Sequence, residues 1–198
     1  MQSQNDEINL LKYAAAGDAE AFSELYHRYR DRVFGFAYRM LAVQEIAEDV
    51  THEAFLVLIE HPERYSLEKG SLHTFLCAVA RNHILLHLRR NRRHPEEDLD
   101  HLDDFLDHHI ETMHDPLAAL LDQELAAKVD ASIAALSPLQ REVIILREFQ
   151  ELTYEEIASV TGSDVNVVKA RLYRARQALG RLLASYLTTD GDRCYELR

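Results

Sequence analysis

Apolar residues recur at helical spacing along almost the whole chain, and no sustained strand-like alternation competes with them. Asp18 is placed to cap a helix whose one face carries Ala21, Phe22, Leu25 and Tyr29. Val33, Phe36, Ala37, Met40 and Leu41 continue the i, i+3, i+4 pattern. Residues 46–59 repeat it with Ile46, Val50, Ala54, Val57 and Leu58. His61-Pro62 ends that segment, because proline disfavours helical geometry in the residue before it. Residues 65–71 contain Gly70 and read as a loop. A long helix is predicted from residue 72 to about 90, with Leu72, Phe75, Leu76, Val79, Ile84 and Leu88 on its apolar face.

The leucines of residues 94–113 are too sparse to build a domain, so this stretch reads as a linker. Asp115-Pro116 then has the form of an N-cap followed by a first-turn proline. Leu117, Leu121, Leu125, Val129, Ile133 and Leu136 form an apolar stripe. Ser137-Pro138-Leu139-Gln140 has the form of a capping box opening a helix to about residue 149. Thr153-Tyr154-Glu155-Glu156 is a second capping box, and it begins a short helix that turns Ile157, Ala158 and Val160 inward. Gly162 suits a left-handed turn, and Asp164 caps a further helix with Val165, Val168, Leu172, Ala175 and Leu179 inward. Two helices joined by so short a glycine turn predict a helix-turn-helix, whose second helix enters the major groove. The fold class expected is all-α: two small helical domains joined by an acidic linker. Their spans are residues 1–93, 94–115 and 116–187, with a tail at 188–198.

Composition agrees with a folded chain: 47% of the 198 residues are hydrophobic and 28% charged. Six glycines and four prolines are too few for a sandwich or barrel of many tight turns. No apolar run reaches the ~18 residues of a membrane span. The start of the chain lacks the basic and apolar regions of a signal peptide, so a cytoplasmic location is expected. Cys77 and Cys194 match neither a metal pair nor a disulfide framework and read as free thiols.

The net charge of −12 argues against a nucleic-acid partner only until its distribution is read. Eleven acids and no Lys or Arg lie between His94 and Ala127, which leaves the rest of the chain close to neutral. Two short stretches are basic and free of acids: Arg81 to Arg93 holds five arginines, and Lys169 to Arg181 holds Lys169, Arg171, Arg174, Arg176 and Arg181. Patches, not averages, decide what binds. The outward face of the last helix offers Asn166, Lys169, Ala170, Tyr173, Arg174 and Gln177, of the types that contact phosphates and base edges. The segment around residues 71–90 combines Ser71, Thr74, Phe75, Arg81, Asn82, Arg89 and Arg90, followed by Arg92 and Arg93. A basic helix after a polar loop suits phosphates, and an aromatic or amide pocket suits an unstacked base. Glu48, Asp49, His52 and Glu53 give one helix an acidic face, which serves equally as a solvated surface or as a partner site. His87, His94, His101 and His108 recur every seven residues, but Pro95 interrupts them and no recognised ligand spacing appears, so no metal site is assigned.

These motifs resemble the RNA polymerase sigma-70 family, in its extracytoplasmic-function (ECF) group. "AGDAEAFSELYHRYRDRVFGFAYRML" is similar to the start of that family's second domain, and "AEDVTHEAFLVL" to its grip on the polymerase clamp helices. "YSLEKGSLHTFLCAVARNHILLHLRRNRR" resembles its promoter-melting and −10 reading segment. "LSPLQREVIILREFQELTYEEIASVTGSDVNVVKARLYRARQALGRLL" resembles its fourth domain, which reads the −35 element. Phe75 stands where the family usually has Trp, and Leu86 where Asp is common. Asn166-Val167-Val168-Lys169-Ala170 lacks two groove-side hydroxyls of the frequent pattern.

The resemblance implies a promoter-recognition factor with no enzymatic activity and no cofactor. It implies that Glu48, Asp49, His52 and Glu53 meet core RNA polymerase at its clamp helices, with the flap as a second contact. Asn82 and the 65–71 loop, with Ser71, Thr74 and Phe75, would take a −10 base, and Arg81, Arg89 and Arg90 would hold the strand. Asn166, Lys169, Ala170, Tyr173 and Arg174 would read the −35 element, with Arg171 and Arg176 on phosphates. It also implies an anti-sigma factor as partner, and no membrane insertion. The alternative is a stand-alone helix-turn-helix regulator, which would bind promoters without polymerase.

Overall fold

The structure is a computed structural model that describes residues 2–91 and 116–191. Among them lie eight α-helices and no strand. The first half contains α1 (Gln2–Ala15), α2 (Ala19–Leu41), α3 (Gln44–Glu60) and α4 (Leu72–Asn91). The second half contains α5 (Pro116–Ala134), α6 (Pro138–Ile144), α7 (Tyr154–Thr161) and α8 (Val165–Gly191). A π-helical turn, Ile145–Phe149, prolongs α6.

Helix α2 begins where Asp18 accepts hydrogen bonds from the backbone N–H of Glu20 and Ala21, at 2.9 and 3.1 Å. It then runs unbroken for 23 residues, about 34 Å at 1.5 Å per residue. Its buried residues Ala21, Leu25, Tyr29, Val33, Phe36, Ala37 and Met40 follow the expected stripe. α3 stops at Glu60, just before His61-Pro62, and buries Ala47, Val50, Ala54, Phe55 and Leu58 against α2. α4 closes the group with Leu72, Leu76, Ala80 and Ile84 inward. Gly70 sits at φ +140°, a region other residues rarely adopt, and a Cβ there would stand 3.3 Å from the Thr74 side chain. The chain thereby reverses tightly, and Ser71 caps α4 by accepting from the Thr74 N–H at 3.1 Å.

In the second half the Thr153 capping box forms with both reciprocal bonds, and Gly162 ends α7 at φ 62°, ψ 34°. Asp164 caps α8 by accepting from the Asn166 N–H at 2.7 Å. Val168, Leu172 and Ala175 are buried on α8, with Val165 and Leu179 half-buried, so the helix-turn-helix stands as expected.

The structure adds one helix to the expectations and corrects two of them. Helix α1 was not anticipated; its short, polar sequence shows little periodicity, yet Leu11 and Ala14 are buried against its neighbours. Leu125 does not extend the buried stripe of α5, being 47% exposed. Ser137 starts α6 without a side-chain cap bond. Its backbone carbonyl accepts from the Gln140 and Arg141 N–H groups at 2.9 and 2.8 Å, and the Arg141 side chain donates to the carbonyls of Ala134 and Leu136 just before it. Residues 92–115 and 192–198, with Arg92, Arg93, His94, His101, His108, Asp115 and Cys194, lie outside the described residues.

Candidate nucleic-acid interface

Three surfaces carry the expected residues. On α8, Asn166, Lys169, Ala170, Tyr173, Arg174 and Gln177 are all exposed, Tyr173 at 67%. They share one face because the opposite stripe of Val168, Leu172 and Ala175 is locked in the core. The Lys169 ammonium lies 5.8 Å from the Tyr154 ring centre, and the Arg147 guanidinium lies 5.0 Å from it. The Arg174 Nε donates to the Ala170 carbonyl at 3.2 Å. Arg171 is half-buried and donates to the Ser163 hydroxyl at 3.2 Å. Arg176 is tied to Glu148 at 2.7 Å. The face therefore presents exposed basic and polar side chains, with the flanking Arg171 and Arg176 tied to Ser163 and Glu148.

The second surface begins α4. Ser71 and Thr74 share a hydroxyl hydrogen bond of 2.9 Å. Phe75, in the usual Trp position, packs edge-on against Tyr65 at 5.8 Å. Asn82, Arg89 and Arg90 are exposed, and Leu86 is 46% exposed. Arg81 and Thr74, however, do not face open solvent. The Arg81 guanidinium meets both oxygens of Glu142, at 2.6 and 3.5 Å. Thr74 donates to Glu156 Oε1 at 2.8 Å, while Glu156 Oε2 accepts from the Thr153 N–H and hydroxyl at 2.9 Å each. Burial alone would raise the Glu156 pKa, but these bonds outweigh it and hold the carboxyl below its usual range.

Glu142, Gln150 and Glu156 were not singled out from the sequence. Their only signal was position. Glu142 is an acid beside the apolar run Val143 to Leu146, and Glu156 is the partner residue of a capping box.

The third surface is the acidic face of α3. Asp49, His52 and Glu53 are exposed; Glu48 is half-buried and accepts from Gln44 at 3.0 Å. Glu48, Thr51 and His52 line a shallow cavity of about 140 Å³ with Tyr26, Arg30 and Phe34 of α2. His52 stacks on Tyr26, and Tyr26 packs on Phe55 at 4.8 Å. The lining therefore carries charge of both signs, the Glu48 carboxylate and the Arg30 guanidinium. Cys77 is a buried free thiol, its pKa pushed up to about 12 by burial, so it is inert at neutral pH. Among the described residues no group of three or more metal-ligating side chains occurs. Among them, too, no helix is long and apolar enough to cross a membrane.

Comparison with known proteins places matches in both halves of the chain. Residues 25–94 match the family model Sigma-70 region 2, and residues 126–179 match Sigma-70, region 4. The chain is 31% identical over 191 residues to the RNA polymerase sigma-H factor of Pseudomonas aeruginosa, covering 94% of this chain and 98% of that protein. It is 30% identical to the ECF RNA polymerase sigma-E factor of Haemophilus influenzae, covering 90% of this chain and 96% of that one. In fold it is similar to the sigma factor RpoE of Bartonella quintana, solved in complex with the anti-sigma factor NepR. That match has a TM-score of 0.66 and 22% identity, and it covers 84% of this chain and 98% of the other. The chain belongs to the sigma-70 family of RNA polymerase factors, in its extracytoplasmic-function group.

Proposed function

We propose that this chain binds core RNA polymerase, directs it to promoters and assists the opening of the duplex, acting in the cytoplasm where the polymerase works. The observation that carries this reading is the union, in one chain, of a region 2 match bearing an acidic face and a basic helix with a region 4 match bearing an exposed basic recognition helix. A groove-reading helix alone would suit a stand-alone regulator; the region 2 half has no use in one. The polymerase supplies the covalent chemistry, and the chain supplies position.

In this reading residues 1–93 form the polymerase-binding and −10 domain, 94–115 the linker and 116–187 the −35 domain. Glu48, Asp49, His52 and Glu53 meet basic groups of the clamp helices. Asn82, with the 65–71 loop, takes an unstacked −10 base, while Arg81, Arg89 and Arg90 follow the strand backbone. Lys169, Tyr173 and Arg174 read −35 base edges, and Arg171 and Arg176 hold phosphates. An anti-sigma factor is the expected restraint on both domains.

Charge reversal tests the polymerase site. Asp49 and Glu53 are exposed, so Asp49→Lys with Glu53→Lys leaves helical content unchanged and disturbs only a complementary partner. Capture of core enzyme should be lost. Undiminished capture would reduce the α3 face to a solvated surface, and promoter binding that needs no core would favour the stand-alone regulator.

A further inference from the structure

Helix α4 has three sides with different surroundings. Leu72, Leu76, Ala80 and Ile84 are buried in the core, and Leu88 packs against it. A second side meets the other half of the chain in a polar seam. There His73 bonds Gln150 at 2.9 Å, Thr74 bonds Glu156 at 2.8 Å and Arg81 pairs with Glu142 at 2.6 Å. The third side is exposed and carries Asn82, Leu86, Arg89 and Arg90. Leu86 is 46% exposed and, among the described residues of α4, is the one exposed large apolar side chain.

An exposed leucine by itself calls for no explanation. The place of this one does. Helical geometry sets Leu86 about 40° round the axis from Asn82 and about 6 Å along it, with Arg89 and Arg90 falling on either side of its line. No acid lies between Arg81 and Arg93, so these surroundings favour a polyanion. Leu86 thus stands on the track assigned above to the promoter strand, between the amide that takes a base and the guanidiniums that follow the backbone. A step of about 6 Å is less than two nucleotides of a strand spaced at about 3.4 Å. Leucine makes no hydrogen bond to a base or a phosphate. The aliphatic group that a base offers at its edge is the C5 methyl of thymine.

We propose that Leu86 is a specificity-determining residue of the −10 interaction: its side chain packs on the C5 methyl group of a thymine within two nucleotides of the base taken by Asn82. This rests on the assignment of α4 to the promoter strand. The flanking arginines hold the strand whatever its sequence, and Leu86 adds a contact that one base satisfies. The contact is apolar, so it discriminates thymine from uracil, which differ by that methyl group alone.

The test uses the holoenzyme, core RNA polymerase with the full chain, on a promoter that gives run-off transcripts. A fluorescein-labelled fragment of that promoter is left unpaired over the −10 element, and each thymine there is replaced in turn by deoxyuridine. At one position wild type should bind about fourfold more weakly, the worth of one buried methyl group. At that position Leu86→Ala should bind the thymine and deoxyuridine fragments alike, both at the level of wild type on deoxyuridine. Its affinity for a −35 duplex should match wild type, because an exposed side chain is removed without disturbing the core.

A deoxyuridine penalty that persists in Leu86→Ala, or a −10 element without a penalised thymine, overturns the proposal. So does a loss in Leu86→Ala that is equal on the two fragments, which would mark a sugar contact. Absence of run-off transcripts with the wild-type chain would sink the functional reading, and the role of Leu86 with it. Transcripts from both proteins without a thymine-dependent difference would sink the role of Leu86 alone.

Discussion

Charge on this molecule is meaningful only residue by residue. Lys169 and Arg174 are exposed on the recognition face, whereas Arg176 is held by Glu148. Lys169→Ala and Arg174→Ala should each weaken −35 discrimination by about 1–3 kcal/mol, the worth of a good base contact. Arg176→Ala should weaken all sequences alike and flatten the salt dependence, as loss of a phosphate contact does. Binding isotherms on matched and scrambled −35 duplexes would separate the two classes. Equal losses throughout would rule out base reading by Lys169 and Arg174. His73 behaves differently again. Burial, with the Arg32 charge beside it, lowers its pKa below the ordinary 6.5, against opposing pulls from Gln150, Glu156 and Glu151. Tyr29 stacks on its ring and Cys77 lies 3.4 Å from its Nε2. The folded chain therefore keeps His73 neutral while the unfolded chain takes up a proton, and stability must fall as pH drops below about 6.5. The Glu156 contribution is lost as pH falls below the usual carboxylate pKa of 4.5. Urea unfolding at about pH 7.5 and about pH 5.5 should show His73→Gln losing less stability than wild type. An identical loss in both would contradict the assignment. The exposed face of α8 was legible at this scale, because side chains opposite a buried stripe have to face solvent. The fates of Arg81 and Thr74 were not, because their partners lie 61 and 82 residues away.

Helix ends show where local chemistry is enough. Asp18, Thr153, Gly162 and Asp164 act within four residues of themselves, and all four function as their types dictate. Ser137 departs from its type, because its backbone carbonyl and not its hydroxyl accepts from the first N–H groups of α6. Helix α1 escaped notice because only a few of its residues touch the core, too few to make a period. Two left-handed ends give opposite predictions. Gly162 ends α7 at φ 62°, so Gly162→Ala should destabilise the chain by about 1 kcal/mol. Ala42 ends α2 at φ 56° with a side chain that disfavours that geometry, so Ala42→Gly should stabilise by a similar amount. Denaturant midpoints of both variants would check this, and a shift of the same sign in both would contradict the reading of these caps.

At the scale of the whole molecule, the all-α class and the order of its parts were legible from periodicity, and the resemblance to sigma factors from motifs in both halves. The seam was not, since helical patterning marks a face as polar without saying what it meets. Eleven acids between His94 and Ala127 mask, in the net charge, two basic surfaces that the fold keeps on separate helices, α4 and α8. The central claim is that this chain gives core RNA polymerase its promoter specificity. Run-off transcription tests it most directly, with core enzyme and a pool of genomic promoters, with and without the chain. Discrete transcripts that appear only when chain and core are both present, and vanish for Asp49→Lys with Glu53→Lys, are the predicted result. Transcription unchanged by the chain, with promoter duplexes bound equally well in the absence of core, would contradict it.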